Sequence, residues 1–398
     1  MIRRTLEPRL RRAADMYPVV TLTGPRQSGK TTLARHTFPE HDYVSLEEPD
    51  QQSFAREDPR GFLDQFPDKA VLDEVQRVPT LFSYIQTLVD SEDKPGRFIL
   101  TGSQNFLLLQ TISQTLAGRC AILHLMPFSL SELEGRESLG IEKIGMKLPR
   151  KDRLSERSLM ETLFQGFYPR IHDKGLDPAD WLAHYYRTYV ERDVREVLNV
   201  GDLESFGRFI RLCAGRNGQL LNLSSLGNDA GVGHTTVRRW ISVLEASFLV
   251  FLLRPYHRSF NKRLIKSPKL YVLDTGLLCY LLRIRSPEDL RLHGSRGGVF
   301  ESFVVAEIIK DFLNRGQEPD LFFWRDSAGH EIDTVIEGPS GAVPVEVKSG
   351  QTFSRDFLSG IRFWKDMIGE PDAPSAVVYG GDSSFRREGV PVYSWSCL

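Results

Sequence analysis

The run Gly24-Pro25-Arg26-Gln27-Ser28-Gly29-Lys30-Thr31 has the spacing GxxxxGK[ST] of a phosphate-binding loop. The residue types carry the chemistry. Glycines let the backbone turn so that several N–H groups face phosphate oxygens. The start of the following helix adds its partial positive charge. The Lys30 ammonium would reach the β- and γ-phosphates of ATP, and the Thr31 hydroxyl would ligate Mg²⁺. Thr32 follows as a further nucleotide contact.

A second group completes such a site. Ala70-Val71-Leu72-Asp73-Glu74 is an apolar strand ending in two carboxylates. Asp73 would hold the Mg²⁺ shell, and Glu74 would polarise the attacking water as general base. Phe98-Ile99-Leu100 runs into Thr101-Gly102-Ser103-Gln104. A polar side chain there would sense the γ-phosphate, Ser103 being the first choice and Thr101 the second.

Four residues of the last hundred make another constellation. Glu301 is in helical register with Val304, Val305, Ile308 and Phe312, so it sits on an otherwise apolar stripe. A carboxylate there is costly unless it is paired or binds a metal. Asp333 falls on a strand over 331–336. Glu346 and Lys348 fall two apart on a strand over 343–348 and share a face, with Val345 and Val347 opposite.

These side chains need elements to position them. Over the first 135 residues, apolar strands at 19–23, 43–47, 70–72, 97–100 and 121–125 alternate with helical stretches, which predicts a parallel sheet covered on both faces. Residues 136–204 read as a loop-rich, helical linker in which Trp181, Tyr185, Tyr186 and Tyr189 repeat at helical spacing and face a core. Residues 205–290 hold a short helix from Leu223, a turn at Gly231-Val232-Gly233, a longer helix over 234–246, and a strand pair at 248–256 and 269–273. Residues 291–398 read helix, three strands, helix and two strands.

The 398 residues carry 51 Lys+Arg against 52 Asp+Glu, a net charge of −1, which excludes a uniformly basic nucleic-acid coat. Against that balance, Arg254, Arg258, Lys262, Arg263, Lys266 and Lys269 cluster without an acid, with Tyr256 and Phe260 among them. Such a stretch suits phosphate contact. The four cysteines are scattered without a CxxC pair, which fits a reducing interior rather than a zinc site. No apolar run approaches the ~20 residues of a spanning helix, and the basic start lacks the apolar stretch of a secretory signal. The expected address is the cytoplasm, with no membrane partner.

The order of nucleotide-site parts resembles an AAA+ ATPase whose sensor strand runs into Thr-Gly-Ser. In that group a Gly-Arg and then a proline-bearing turn follow; here these are Gly118-Arg119 and Met126-Pro127-Phe128-Ser129-Leu130. The resemblance makes Arg119 a candidate arginine finger, acting on its own nucleotide or a neighbour's. An ordinary surface ion pair is the alternative. It also implies a homo-oligomer, a hexameric ring.

Helix Glu301, strand Asp333, then Glu346-x-Lys348 resembles the PD-(D/E)xK nucleases, a restriction-endonuclease-like α/β fold, although Ile332 replaces the proline expected before the acid. The resemblance implies that Asp333, Glu346 and Glu301 bind Mg²⁺ or Mn²⁺ and that Lys348 activates water. The 205–290 segment resembles a winged helix, which would put Arg238 and Arg239 in a DNA groove and Arg258, Lys262, Arg263 and Lys266 on the backbone. As a whole the chain resembles a prokaryotic group of AAA+ ATPases with a C-terminal Glu-Val-Lys-Ser motif. Phe164-Gln165-Gly166-Phe167-Tyr168-Pro169 and Leu273-Asp274-Thr275-Gly276-Leu277 are further motifs of that group. Two readings follow: an ATP-driven enzyme processing DNA, branched DNA included, or a nucleotide-switched DNA-binding, regulatory or defence ATPase whose nuclease fold is inactive.

Overall fold

A computed structural model describes residues 2–92, 94–103, 115–140, 143–146, 148, 155, 157–190, 203–256, 266–338 and 341–398. The chain forms two compact units. One comprises residues 1–128 with 246–248 and 313–317; the other comprises 129–245, 249–312 and 318–398.

The first unit is built on strands β1 (Val19–Gly24), β2 (Asp42–Ser45), β3 (Ala70–Asp73), β4 (Phe98–Ser103) and β5 (Cys120–His124), ordered β2-β3-β4-β1-β5 and all parallel. Alternate residues serve opposite faces, as a pleat requires. Val19, Leu72, Phe98 and Leu100 pack with Phe62, Phe82 and Ile85 on one side. Val20, Leu22, Val71 and Ile99 pack with Leu10, Leu33 and Phe38 on the other. Both faces are buried, so the expected α/β parallel sheet is present. The helical stretch between β2 and β3 is two helices, Pro49–Glu57 and Pro59–Asp64, because Asp58 breaks the first and its side chain caps the second at Gly61 N. Between the strands expected at 97–100 and 121–125, residues 104–114 of the helical stretch lie outside the described residues.

The second unit centres on an eight-stranded mixed sheet of β6 (Val250–Pro255), β7 (Lys269–Val272), β8 (Leu321–Arg325), β9 (Glu331–Gly338), β10 (Gly341–Lys348), β11 (Ala376–Tyr379), β12 (Phe385–Arg387) and β13 (Val390–Ser394), ordered β12-β13-β11-β10-β9-β8-β6-β7. The helix Arg296–Asn314 precedes β8, and the helix Ser359–Ile368 follows β10. Three of the four domains expected from the sequence therefore share this unit.

The hairpin expected to act as a wing requires correction. β6 and β7 do form an antiparallel pair, but β6 also runs parallel to β8, so the hairpin is the edge of the large sheet. Burial drives this: Tyr256, at the end of β6, packs with Trp324, Ile332, Val335 and Trp364. The helices Leu203–Gly215, Leu223–Ala230 and His234–Ala246 precede it. Trp240 of the third sits edge-on to Phe206 and Phe209 at 5.1 and 5.0 Å. Of the four aromatics expected to face a core, Tyr185, Tyr186 and Tyr189 are buried and Trp181 is half-buried. No described helix is long and apolar enough to cross a membrane.

Candidate functional site

β1 delivers the phosphate-binding loop to the C-terminal edge of its sheet. Gly24 is at φ 147°, and a Cβ there would overlap the Leu125 carbonyl oxygen, so no larger residue fits. Gly29 adopts φ 92° and starts the helix Lys30–Thr37. Lys30 Nζ is buried and donates to Gly24 O at 3.2 Å and Pro25 O at 2.8 Å. Burial pushes its pKa down to about 8, against the opposing pull of Glu74 and Asp73.

Asp73 ends β3 facing this loop. Thr31 Oγ1 donates to its two oxygens at 2.9 and 3.0 Å, Tyr43 Oη donates at 3.0 Å, and Thr101 Oγ1 donates as well. The next residue, Glu74, occupies left-handed backbone at φ 57°, uncommon for a non-glycine residue. Its carboxylate accepts from Ser103 Oγ at 3.2 Å and from Gln76. Because β4 lies between β1 and β3, both sensor candidates reach the acidic pair: Thr101 touches Asp73 and Ser103 touches Glu74. Gly24, Lys30, Thr31, Asp73, Glu74 and Ser103 thus converge at one edge. Tyr43 was not legible as a member, since an isolated tyrosine on a short strand carries no motif.

Arg119 does not join them. It precedes Cys120, which pairs with Val19 at the start of β1, whereas the loop begins at Gly24. Five steps of strand put about 17 Å between those ends. Its guanidinium is held by Asp90, with Nη2 to Oδ2 at 3.0 Å. A role on its own nucleotide is therefore corrected; the surface ion pair is present.

In the second unit, Glu301, Asp333, Glu346 and Lys348 line one cleft of about 750 Å³. Thr334 lies opposite Val345 across the antiparallel β9–β10 ladder, which brings Asp333 beside Glu346. Lys348 Nζ donates to Asp333 Oδ2 at 3.1 Å and also to Glu346, and Val347 N donates to Asp333 Oδ2 at 2.8 Å. Burial raises the Glu346 pKa, and the neighbouring Asp333 charge adds to the rise. Asp333 is also pushed up by burial, but Lys348, Lys269 and the Val347 amide outweigh this and leave it low. Gly360 makes this approach feasible, since a Cβ there would overlap Glu346 Oε1.

Glu301 faces other partners: Lys269 Nζ at 3.2 Å and the Tyr271 hydroxyl. Lys269 also meets Glu331 Oε1 at 2.6 Å. Burial opposes its charge, yet Glu301, Glu331 and Asp333 together raise its pKa to about 12. This corrects two expectations. Lys269, the last residue of the basic segment, is buried among acids and faces no backbone of a partner. Glu301, Asp333 and Glu346 do not form a three-carboxylate cage, and among the described residues no three His, Cys, Asp or Glu side chains are grouped to hold a metal. Two ammonium groups divide the acids. The Asp333–Glu346 pair is nonetheless a hard oxygen donor set of the kind Mg²⁺ or Mn²⁺ takes.

Arg238 and Arg239 are exposed with His234, Thr235 and Ser242 on the outer face of the helix His234–Ala246, while Val237, Trp240, Ile241 and Leu244 are buried. Lys266 is exposed. Arg258, Lys262 and Arg263 lie outside the described residues. The two further motifs are structural. Asp274 accepts from Phe167 N and Leu277 N, both at 2.8 Å, and a Cβ on Gly166 would lie 2.8 Å from Gly276 N.

A model described as an AAA domain matches residues 16–134, and domains of unknown function match residues 156–288 (DUF8612) and 296–398 (DUF4143). Relatives include the uncharacterized proteins Mb2031c of Mycobacterium bovis and Rv2008c of Mycobacterium tuberculosis, each 31% identical over 388 residues, 96% of this chain and 81% of the relative. Solved structures similar to the chain include a Walker-type ATPase of Pyrococcus abyssi, with TM-score 0.39, 15% identity and coverage of 71% of this chain and 96% of that one. RuvB of Thermotoga maritima has TM-score 0.29, 21% identity and coverage of 62% and 86%.

Proposed function

We propose a function for a chain that belongs to the same family as the mycobacterial proteins Mb2031c and Rv2008c and carries an AAA domain ahead of a DUF4143 domain: it hydrolyses ATP in its first unit and cuts DNA in its second. In the first unit, the loop 24–31 cradles the phosphates, and Thr31 and Asp73 hold Mg²⁺. Glu74 takes a proton from the attacking water, and Ser103 and Thr101 link both acids to the γ-phosphate. Arg119 would serve the nucleotide of a neighbouring copy, in keeping with a homo-oligomeric, hexameric ring.

The nuclease reading rests on one observation: Glu301, Asp333, Glu346 and Lys348, drawn from a helix and two strands, line the same cleft. Asp333 and Glu346 would hold Mg²⁺ or Mn²⁺, which supplies stabilisation of attacking and leaving oxygens in phosphodiester hydrolysis. Lys348 orients the attacking water once it is released from the two acids. The exposed Arg238 and Arg239, with Lys266, would hold duplex or branched DNA. ATP turnover would then govern access to the cleft.

A second reading is favoured by the ion pair of Glu301 with Lys269, which already occupies that carboxylate. On that reading the chain is a nucleotide-switched DNA-binding, regulatory or defence ATPase without cleavage. Labelled four-way-junction and linear duplex DNA, incubated with Mg²⁺ or Mn²⁺ and with or without ATP, separate the two. Cleavage by the wild type that disappears in Asp333→Ala and Lys348→Ala supports the nuclease, and Lys30→Ala reports its dependence on ATP. Intact ATP hydrolysis without any cleavage would leave the second reading.

A further inference from the structure

Arg4 lies ahead of the helix Glu7–Ala14, outside every motif described above, yet it is only 5% exposed. Its Nη1 donates to Ser28 O at 2.8 Å, inside the phosphate-binding loop. Its Nη2 donates to Met126 O at 2.6 Å, in the turn that follows β5. The guanidinium carbon lies 4.8 Å from the centre of the Phe128 ring. One planar cation therefore joins the loop to the proline-bearing turn 126–128. Ser28 and Met126 are themselves buried, so neither carbonyl is open to replacement by bulk water.

The peptide geometry gives this contact a consequence. A trans peptide points its C=O and N–H in opposite directions, and no cis bond occurs in the described chain. Pinning Ser28 O toward Arg4 therefore turns the Gly29 N–H away from Arg4. Gly29, at φ 92°, has little steric preference of its own to hold that peptide plane. We propose that Arg4 is a positioning residue for nucleotide binding: by fixing the Ser28–Gly29 peptide it aims the Gly29 N–H at the phosphates of ATP or ADP. It touches neither the reacting atoms nor the attacking water. Its effect is expected in affinity more than in turnover, because an amide that binds ground state and transition state alike acts on KM.

The test measures the Kd for a fluorescent ATP analogue, KM and kcat for ATP, and the melting temperature of the full chain. Wild type is compared with Arg4→Ala, Arg4→Lys and Lys30→Ala. Loss of a charged hydrogen bond predicts a Kd about tenfold higher or more in Arg4→Ala. Arg4→Lys keeps the charge and one donor, so it should fall between the two, and in both variants KM should change more than kcat. Folded Arg4 variants that bind within twofold of wild type would overturn the proposal. So would a loss in kcat alone, or unfolding of both variants, which would make Arg4 a fold-holding residue. Failure of wild type itself to bind ATP would instead overturn the nucleotide reading, which Lys30→Ala tests separately.

Discussion

Lys269 Nζ stands 3.2 Å from Glu301 Oε1, so a lysine from the sheet-edge hairpin neutralises the acid of the helix Arg296–Asn314. The same ammonium holds Glu331 at 2.6 Å, and its side chain is 4% exposed. Removing it leaves Glu301 without its counter-charge and Glu331 with Arg325 alone, Nη1 to Oε2 at 3.3 Å. Lys269→Met should therefore destabilise the protein by about 2 kcal/mol, less than a fully buried pair because both acids retain some water. That corresponds to a fall of about 5 °C in Tm for a unit of this size. Lys269→Arg should lose less, and calorimetry on the three proteins reads the order.

That lysine also shows why the second site is only partly legible in sequence. Glu346-x-Lys348 and Asp333 are short-range signals, because alternation along a strand fixes their faces. Lys269 reads as one more cation in a basic run, since nothing local reveals that β6 pairs with β8 and carries β7 to the acids. The parts of the candidate nucleotide site are legible as motifs because they are strand ends. A parallel sheet with the order β2-β3-β4-β1-β5 brings Gly24, Ser103 and Asp73 to one edge without further instruction. Arg119 follows the same rule in reverse. It precedes its strand and so falls at the far edge, while Arg4 and Tyr43 arrive through tertiary contact alone.

The depressed Lys30 pKa predicts a pH dependence. Free protein loses the Lys30 charge as pH rises through about 8, so kcat/KM for ATP should decline above that value. With phosphates bound, the charge is stabilised, and kcat should hold to higher pH. Unfolding would not mimic this. A lysine with a lowered folded pKa binds fewer protons than its unfolded counterpart between about 8 and 10.5, so this group by itself makes the fold more stable as pH rises there. Steady-state rates and melting temperatures measured across the same pH series separate the two effects.

Glu74 and Lys30 should part company on mutation. Glu74→Gln keeps the size of the side chain but loses the base, so turnover should fall about 10²- to 10⁴-fold, while nucleotide binding persists. Ser103→Ala removes the 3.2 Å contact to Glu74 and should lower kcat by a smaller factor. Equilibrium binding of the ATP analogue beside single-turnover hydrolysis distinguishes these variants from Lys30→Ala, in which binding itself is lost.

Arg119 makes a claim about assembly. Its place at the sheet edge away from the loop means that any action on ATP comes from another copy. Arg119→Ala and Lys30→Ala each remove one half of a composite site, so a mixture of the two should recover turnover that neither has alone. Recovery should grow with protein concentration. Flat activity in the mixture would leave Arg119 as the partner of Asp90 and no more.

The exposed pair Arg238 and Arg239 offers the sharpest test of a nucleic-acid role. Each arginine at a phosphate releases condensed counterions, so log K against log salt should become shallower by about one for each contact removed. Arg238→Ala and Arg239→Ala should thus weaken duplex binding most at low salt and little at high salt. The helix should tolerate both changes, because its packing rests on Val237, Trp240, Ile241 and Leu244, and alanine is favourable in a helix. Fluorescence anisotropy over a salt series measures the slopes. Slopes equal to wild type would remove this face from the DNA path and turn attention to Lys266 and the edge hairpin.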